Sequence, residues 1–445
     1  MRTRERAAGR LAELWEVWVG APLPVRLRAW DGSVVGPAGA PEVVVRSPRA
    51  LRRMVWRPGE LGLADAYLAG ELEVAGDVGE ALALLGTAVR QARGHGPEAG
   101  GGAARPGPGA WVRSAALVAG LGGFGVRPPA PGAARSRQRG ALHSTARDRA
   151  AIRHHYDLSN AFYELLLDES MAYSCAWWTR PAGPGYGLAE AQRDKLELIC
   201  RKLGLGPGAR LLDLGCGWGA LAVYAAREHG VRVTAVTLSR EQAAYVRERA
   251  RRAGVAESVT VEHAHWREVR ARDFDAVSVI EMSEHVGDRE YPAFTGLVRE
   301  ALRPGGRVLA QVMSRGAQAP GGGAFIEAYV VPDMHMRPLG ATVGRWEGAG
   351  LEVRSVDSLR EDYGRTIRAW AATLEERRAE FTALVGAVTV RVWRLYLAGS
   401  ALTFEEGRMG VDQILAVRPE GADGAGWPLA APRAWYAPGA EAGRS

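Results

Sequence analysis

The stretch Ala209 to Gln242, ARLLDLGCGWGALAVYAAREHGVRVTAVTLSREQ, constrains this chain more than any other. Arg210 to Leu214 is a short apolar run of the kind a buried parallel strand needs. It breaks at Gly215-Cys216-Gly217-Trp218-Gly219 and re-enters a helical pattern (Leu221, Tyr224, Ala225) that ends near Gly230. A second apolar run, Val231 to Leu238, follows at once. This is a βαβ unit whose glycines stand where the first strand turns into its helix. A Cβ there would block the turn and hold a ligand off the backbone. Asp213 precedes the first glycine by two residues, and no lysine follows the loop, so it is not a phosphate-cradling GxxxxGK[ST] loop.

The rest of the chain gives this unit an α/β setting. Strands fit Val259 to Glu262, Asp275 to Ile280 and Gly306 to Val312, with helices between them and a Leu302-Arg303-Pro304-Gly305-Gly306 turn into the last. Such alternation predicts a doubly wound, mainly parallel sheet. Before it, helices are expected at Ile152 to Leu167 and Leu188 to Leu203. After it, a mostly helical region, Tyr363 to Leu415, is expected to close a domain of residues 145–417. Residues 1–90 read as a separate small α+β unit, with an amphipathic N-terminal helix, strands around Val25 to Trp30 and Val43 to Val45, and a helix from Leu61 to Leu68. Residues 91–144 are rich in Gly, Pro, Ala and Arg. They read as a flexible linker holding one apolar patch, Trp111 to Val126, and residues 418–445 read as a poorly ordered tail.

A chain of 445 residues has room for two domains. It has no apolar run of about 18 or more residues, so no spanning helix is expected. The N-terminus lacks the apolar core of a signal peptide. Cys175, Cys200 and Cys216 show neither metal-ligand spacing nor a disulfide framework, which fits a reducing cytoplasm. The net charge of +7 is carried almost wholly by arginine, since Lys195 and Lys202 are the only lysines. A GC-rich coding sequence explains that bias. Attraction to a polyanionic surface, phospholipid or nucleic acid, is the functional reading.

Asp-x-Gly-Cys-Gly-Trp-Gly resembles motif I of the class I S-adenosylmethionine methyltransferases. His155-Tyr156-Asp157-Leu158-Ser159-Asn160, Tyr173-Ser174-Cys175-Ala176, Val236-Thr237-Leu238-Ser239 with Gln242, and Glu281-Met282-Ser283-Glu284-His285-Val286-Gly287 occur around it in order. Together they resemble the cyclopropane-fatty-acyl-phospholipid synthase family, which includes the mycolic acid methyltransferases, from about Arg153 to Arg418. Residues 1–90 resemble the lipid-binding N-terminal domain of its longer members.

The resemblance implies a Rossmann-like fold and a cofactor, S-adenosylmethionine. Tyr173 and Ser174 are expected at its methionine end, Gly215 and Gly217 (after Asp213) beneath its methionine and ribose parts, Thr237 and Gln242 at the ribose, and Trp266 against adenine. His265 stands where many relatives have Asp. The implied acceptor is the cis double bond of an acyl chain on a membrane phospholipid. An alkene is a poor nucleophile, so it must be held in near-attack geometry, and the carbocation formed needs a dry pocket. Tyr156, Tyr173, Tyr363 and one of Trp177 or Trp178 are candidate aromatic faces for that cation. In the family a bound bicarbonate, held by Cys, Glu, His and Tyr, takes the final proton. Cys175, Glu284 and Tyr363 match three of these, and Gln311 stands at the histidine position. Glutamine there and Glu281-Met282 favour a methylene-branched product over a cyclopropane, with a separate reductase as a later partner. The implied location is cytoplasmic, at the inner face of the plasma membrane. A nucleic-acid methyltransferase is the weaker alternative, because EMSEHVG replaces an Asn/Asp-Pro-Pro-Tyr element after the fourth strand. An inactive lipid carrier is disfavoured by Cys175, Glu284 and Tyr363. No metal site is expected.

Overall fold

A computed structural model describes residues 6–92, 107–132, 147, 159–316, 323–421 and 436. They divide into two compact units, residues 1–135 with 374–402, and residues 136–373 with 403–445.

The first unit is α+β. Helix α1 (Ala7–Val19) stops at Gly20, whose φ of 77° is the left-handed cap that glycine adopts without a Cβ clash. Strands β1 (Arg26–Arg28), β2 (Val34–Val35), β3 (Glu42–Val45) and β4 (Leu72–Ala75) form a sheet in the order β2-β1-β3-β4. Val43 and Val45 point inward with Val25 and Leu27, against Ala50 of helix α2 (Arg49–Trp56) and Ala66 of helix α3 (Glu60–Leu68). Helix α4 is Val78–Ala92. The apolar patch of the expected linker forms helix α5 (Pro108–Gly120), started by a proline in its first turn. It has a partner in α1: Trp111 meets Trp18 edge to face at 4.8 Å, and Arg113 pairs with Glu13.

The second unit is built on a seven-stranded sheet. Its strands are β5 (Arg210–Leu214), β6 (Arg232–Thr237), β7 (Val259–His263), β8 (Phe274–Ile280), β9 (Leu302–Arg315), β10 (Glu352–Ser358) and β11 (Met409–Val417), in the order β10-β11-β9-β8-β5-β6-β7. The five strands β5–β9 run parallel, and β10 and β11 pair antiparallel. Strand β5 lies between β6 and β8, so the chain's direction of winding reverses at its carboxyl end. That is the crevice where doubly wound folds bind ligands.

Helix α6 (Asn160–Leu166) is the described part of the segment expected from Ile152, and α7 is Leu188–Leu203. Gly187 N–H donates to Glu190 at the start of α7, and Gly204 (φ 65°) ends it. Helices α8 (Ala220–His229), α9 (Arg240–Arg252), α10 (Tyr291–Ala301), α11 (Ala324–Tyr329) and α12 (Leu339–Gly348) complete the layers. The expected helical closing region holds α13 (Arg360–Glu376), α14 (Arg378–Val385) and α15 (Ala387–Glu405), but its residues 374–402 belong to the first unit rather than to the expected 145–417 domain, and helix ends at Glu405. Met409 to Leu415 is strand, not helix. This run is buried between β10 and β9 and carries Asp412 and Gln413 inside it as buried polar residues, so it lacks the alternation that marks a half-exposed strand.

Candidate active site

Gly215, Gly217 and Gly219 all have positive φ, 84°, 52° and 79°, so each is in the region where a Cβ is strained. They differ in what surrounds them. A Cβ on Gly215 would lie 2.6 Å from Met282, and one on Gly219 2.9 Å from Val246, whereas one on Gly217 meets nothing within 4 Å. Gly215 is therefore glycine for close packing, and Gly217 leaves open room above the backbone. The loop is tied down by Gly215 and Cys216 N–H donating to Val236 O at 2.9 and 3.0 Å.

A cleft opens over this loop at the switch point, and all eight expected cofactor residues line it: Tyr173, Ser174, Asp213, Gly215, Gly217, Thr237, Gln242 and Trp266. At one end Thr237 Oγ1 donates to Gln242 Oε1 at 2.8 Å, which turns Gln242 Nε2 outward as a buried donor with no partner. His265 N–H is capped by Glu268, and the ring accepts from Arg267 N–H, so this histidine braces the turn that presents Trp266. At the other end Ser174 Oγ accepts from Lys195 Nζ at 2.9 Å. Asp213 accepts from Ser278 Oγ at 2.7 Å, and burial lifts its carboxyl to about 6. The orphaned amide of Gln242, the room above Gly217 and the apolar face of Trp266 fit a ribose and a flat base. The residues present therefore fit S-adenosylmethionine.

The cleft is also lined by Glu281, which closes β8. Its φ of 49° is left-handed, rare for a residue with a Cβ. That backbone turns its carboxylate onto three donors. Oε1 accepts from Cys175 N–H at 2.8 Å and from Gln311 Nε2 at 2.7 Å, and Oε2 accepts from Tyr363 OH at 2.6 Å. Burial raises its carboxyl above the usual range, opposed by these hydrogen bonds and by the charge of Lys195.

Cys175, Gln311 and Tyr363 are thus brought together as expected, but around Glu281. Glu284 lies beside this cluster but makes its own contacts. It lies a short helical turn further on, with Oε1 accepting from Met313 N–H at 2.5 Å and Oε2 buried without a partner. Burial, and then the charge of Glu281, lift Glu284 to about 8. Cys175 contributes backbone, since its thiol is buried and faces the carbonyls of Ala176 and Leu359. Tyr156 lies outside the described residues. Tyr173 and Tyr363 flank Trp370, at 5.2 and 6.2 Å between ring centres, and this third ring went unremarked in the sequence. Trp178 instead bonds Thr366 and packs on Tyr186, while Trp177 faces Tyr436.

Behind Gln311 runs a buried polar ladder made by strand register. Gln311 stands opposite Gln413 on β11, and Gln413 opposite Asp357 on β10. Gln413 Nε2 donates to Gln311 Oε1 at 3.0 Å, and Lys202 Nζ donates to Gln413 Oε1 at 2.7 Å and to Asp357 at 2.8 Å. Lys195 and Lys202, seven residues apart, share the inward face of α7. Neither lysine was singled out from the sequence, although they are the only two and both are fully buried.

Bicarbonate does not fit this site as it stands. The donors that the resemblance offers it, from Cys175, from the Gln311 position and from Tyr363, all end on the carboxylate of Glu281.

Comparison with known proteins agrees with this geometry. The sequence model of the mycolic acid cyclopropane synthetase family matches residues 143–414. A probable fatty acid methyltransferase of Mycobacterium tuberculosis is 36% identical over 441 residues, covering 96% of this chain and 98% of its own length. A tuberculostearic acid methyltransferase of the same organism is 31% identical, over 89% of this chain and 88% of its own. The crystal structure of a mycolic acid cyclopropane synthase with S-adenosylhomocysteine and CTAB superposes with a TM-score of 0.56 at 30% identity, covering 60% of this chain and 98% of that one.

Proposed function

The chain belongs to the mycolic acid cyclopropane synthetase family and is an S-adenosylmethionine-dependent methyltransferase acting on fatty acids or lipids, and from that premise we propose that it methylates the cis double bond of an acyl chain carried by a membrane phospholipid. The observation that carries this reading is a methyl-donor cleft sharing one wall residue, Glu281, with a buried proton-accepting cluster. Methylation of an alkene leaves a carbocation that must be kept dry and then lose a proton, and a base walled into an aromatic pocket meets both needs.

The bound cofactor supplies an electrophilic methyl on a sulfonium sulfur. Gln242, Thr237 and Trp266 hold its nucleoside, and Ser174 with Lys195 orients its amino-acid end. Tyr173, Trp370 and Tyr363 line the acceptor with π faces, each contributing roughly 0.5–2 kcal/mol to a cation held against it. The product is a methylene-branched chain, which a separate reductase converts to a methyl branch. Three donors on the accepting carboxylate favour this outcome, because they weaken it as a base and leave the cation time to rearrange.

The substrate is reached from the membrane surface. No helix among the described residues is long and apolar enough to cross a bilayer. The first unit instead exposes Trp18, Trp56, Trp111, Val112, Phe124 and Val126, and interfacial aromatics of this kind support peripheral docking. The test is mass spectrometry of phospholipids from cells expressing the protein with an oleate supply. A gain of one methylene unit on monounsaturated chains is expected. Unchanged acyl chains with an active, cofactor-binding protein would overturn the assignment.

A further inference from the structure

We infer that the carboxylate of Glu281 is the proton acceptor of this enzyme, built into the chain at the place where the family resemblance puts a bound bicarbonate. The inference rests on the lipid-methylating reading above and names the group that completes its chemistry.

Three observations carry it. The first is saturation. Cys175 N–H, Gln311 Nε2 and Tyr363 OH converge on Glu281 at 2.6–2.8 Å. Gln311 has no donor left over, because its amide also serves Cys175 O at 3.3 Å. The second is orientation. Lys202 can only donate, so Gln413 must present its oxygen to it and its NH2 to Gln311. Gln311 then presents its own NH2 to Glu281, an arrangement that suits a carboxylate, which only accepts. The third is strain. A non-glycine residue at φ 49° costs about 1–2 kcal/mol. That cost is met where the carboxylate is aimed at the cleft rather than into the sheet.

The chemistry balances with no further reactant. The alkene π pair forms a bond to the sulfonium methyl, and the broken S–C pair stays on sulfur. The neighbouring chain carbon becomes cationic. Glu281 takes one proton from the added methyl, directly for ring closure or after a 1,2-hydride shift for the methylene. The freed C–H pair becomes the new C–C bond or the C=C bond. The proton leaves Glu281 to water with the product. Glu284, close by and lifted to about 8, is neutral near pH 7 and does not compete for that proton.

The experiment uses the full chain, unsaturated phospholipid vesicles and S-adenosylmethionine labelled in its methyl group, in buffer purged of CO2 and then with bicarbonate restored. The wild-type rate is expected to be the same in both. Glu281→Gln is expected to lose at least about a hundredfold in turnover, with S-adenosylhomocysteine affinity and melting temperature near wild type. Glu281→Gly relieves the strained φ and empties the place, so added bicarbonate should restore part of its activity without stimulating the wild type. A wild-type rate that collapses on purging and returns with bicarbonate would overturn the inference, even if both variants fail to fold. So would a Glu281→Gln variant of near wild-type rate. Should label reach the lipid in neither buffer while the cofactor still binds, the lipid-methylating reading itself has failed and the inference falls with it.

Discussion

Lys202 Nζ stands 2.7 Å from the side-chain oxygen of Gln413, and that contact sets the orientation of a second amide one strand further on. An ammonium cannot accept, so it removes the two-fold ambiguity of Gln413 and, through it, of Gln311. Lysine suits the position because one compact ammonium with three donors serves both Gln413 and Asp357. We expect Lys202→Met to lower kcat about tenfold, equivalent to roughly 1.4 kcal/mol, with little change in cofactor affinity. Gln413→Leu should do the same, and the double variant should cost no more than either alone. Additive losses in a double-mutant cycle would show that the ladder does not act as a unit.

The glycine loop separates packing from binding. Gly215→Ala places a methyl 2.6 Å from Met282 and should lower the melting temperature. Gly217→Ala meets nothing in the protein but keeps the strained φ, so it should cost about 1 kcal/mol of stability. The larger effect of Gly217→Ala should be on S-adenosylhomocysteine binding, measured by calorimetry. Equal effects of both variants on binding would contradict the distinction.

Glu284 should make the fold less stable as pH rises. Its carboxyl holds a proton up to about 8 in the folded chain, against an ordinary value of 4.5. Between those values the folded state binds more protons than the unfolded one, so unfolding free energy falls with pH, by at most roughly 1.4 kcal/mol per unit, and levels off above the folded value. Glu284→Gln cannot ionise. Relative to wild type it should gain melting temperature at pH 8 and gain none at pH 4.5. A difference between the two proteins that does not change with pH would show that this carboxyl is ionised in the folded state.

Local physics was enough for part of this molecule. Arg210 to Leu214 was readable as β5 because an apolar run ending in three glycines leaves few alternatives, and the cleft residues followed from the motifs around it. Glu281 was visible as part of the Glu281-Met282 pair that bears on the product, but not as the centre of the cluster. Its place depends on one left-handed φ and on the pairing of β8 with β9, neither of which sequence spacing encodes. Gln413 was hidden in the same way, inside a strand buried on both faces. Lys195 and Lys202 did carry a signal. In a chain that uses arginine almost everywhere else, two retained lysines seven residues apart on a predicted helix point to one buried face.

The exposed aromatics of the first unit should govern vesicle binding. Trp18 and Trp111 touch at 4.8 Å, yet are 45% and 56% exposed, so they form one apolar knob. Trp18→Ser with Trp111→Ser should weaken binding to anionic phospholipid vesicles about tenfold, while soluble cofactor binding is unchanged. Binding by the parent should also fall with salt, since exposed charges are screened beyond about 8–10 Å near physiological ionic strength. Binding indifferent to both changes would place the membrane contact elsewhere.

On the proposed mechanism, the product turns on how fast the proton leaves. Methyl addition puts the charge on the neighbouring chain carbon, a secondary cation, and a 1,2-hydride shift moves it to the more substituted carbon that bears the new methyl. Fast proton removal closes a ring, and slow removal allows the shift and gives the methylene. Glu281 shares its charge with three donors, at 2.8, 2.7 and 2.6 Å, and is a weaker base for it. The wild-type product is therefore expected to be chiefly methylene-branched. Gln311→His exchanges a fixed amide donor for an imidazole that can itself take up the proton, and should divert part of the product to cyclopropane. Both products have the same mass, so NMR of the isolated lipid, or its resistance to mild hydrogenation, must distinguish them. Cyclopropane ring protons dominating the wild-type spectrum would show that proton removal outruns rearrangement with glutamine in place, and that position 311 does not set the product.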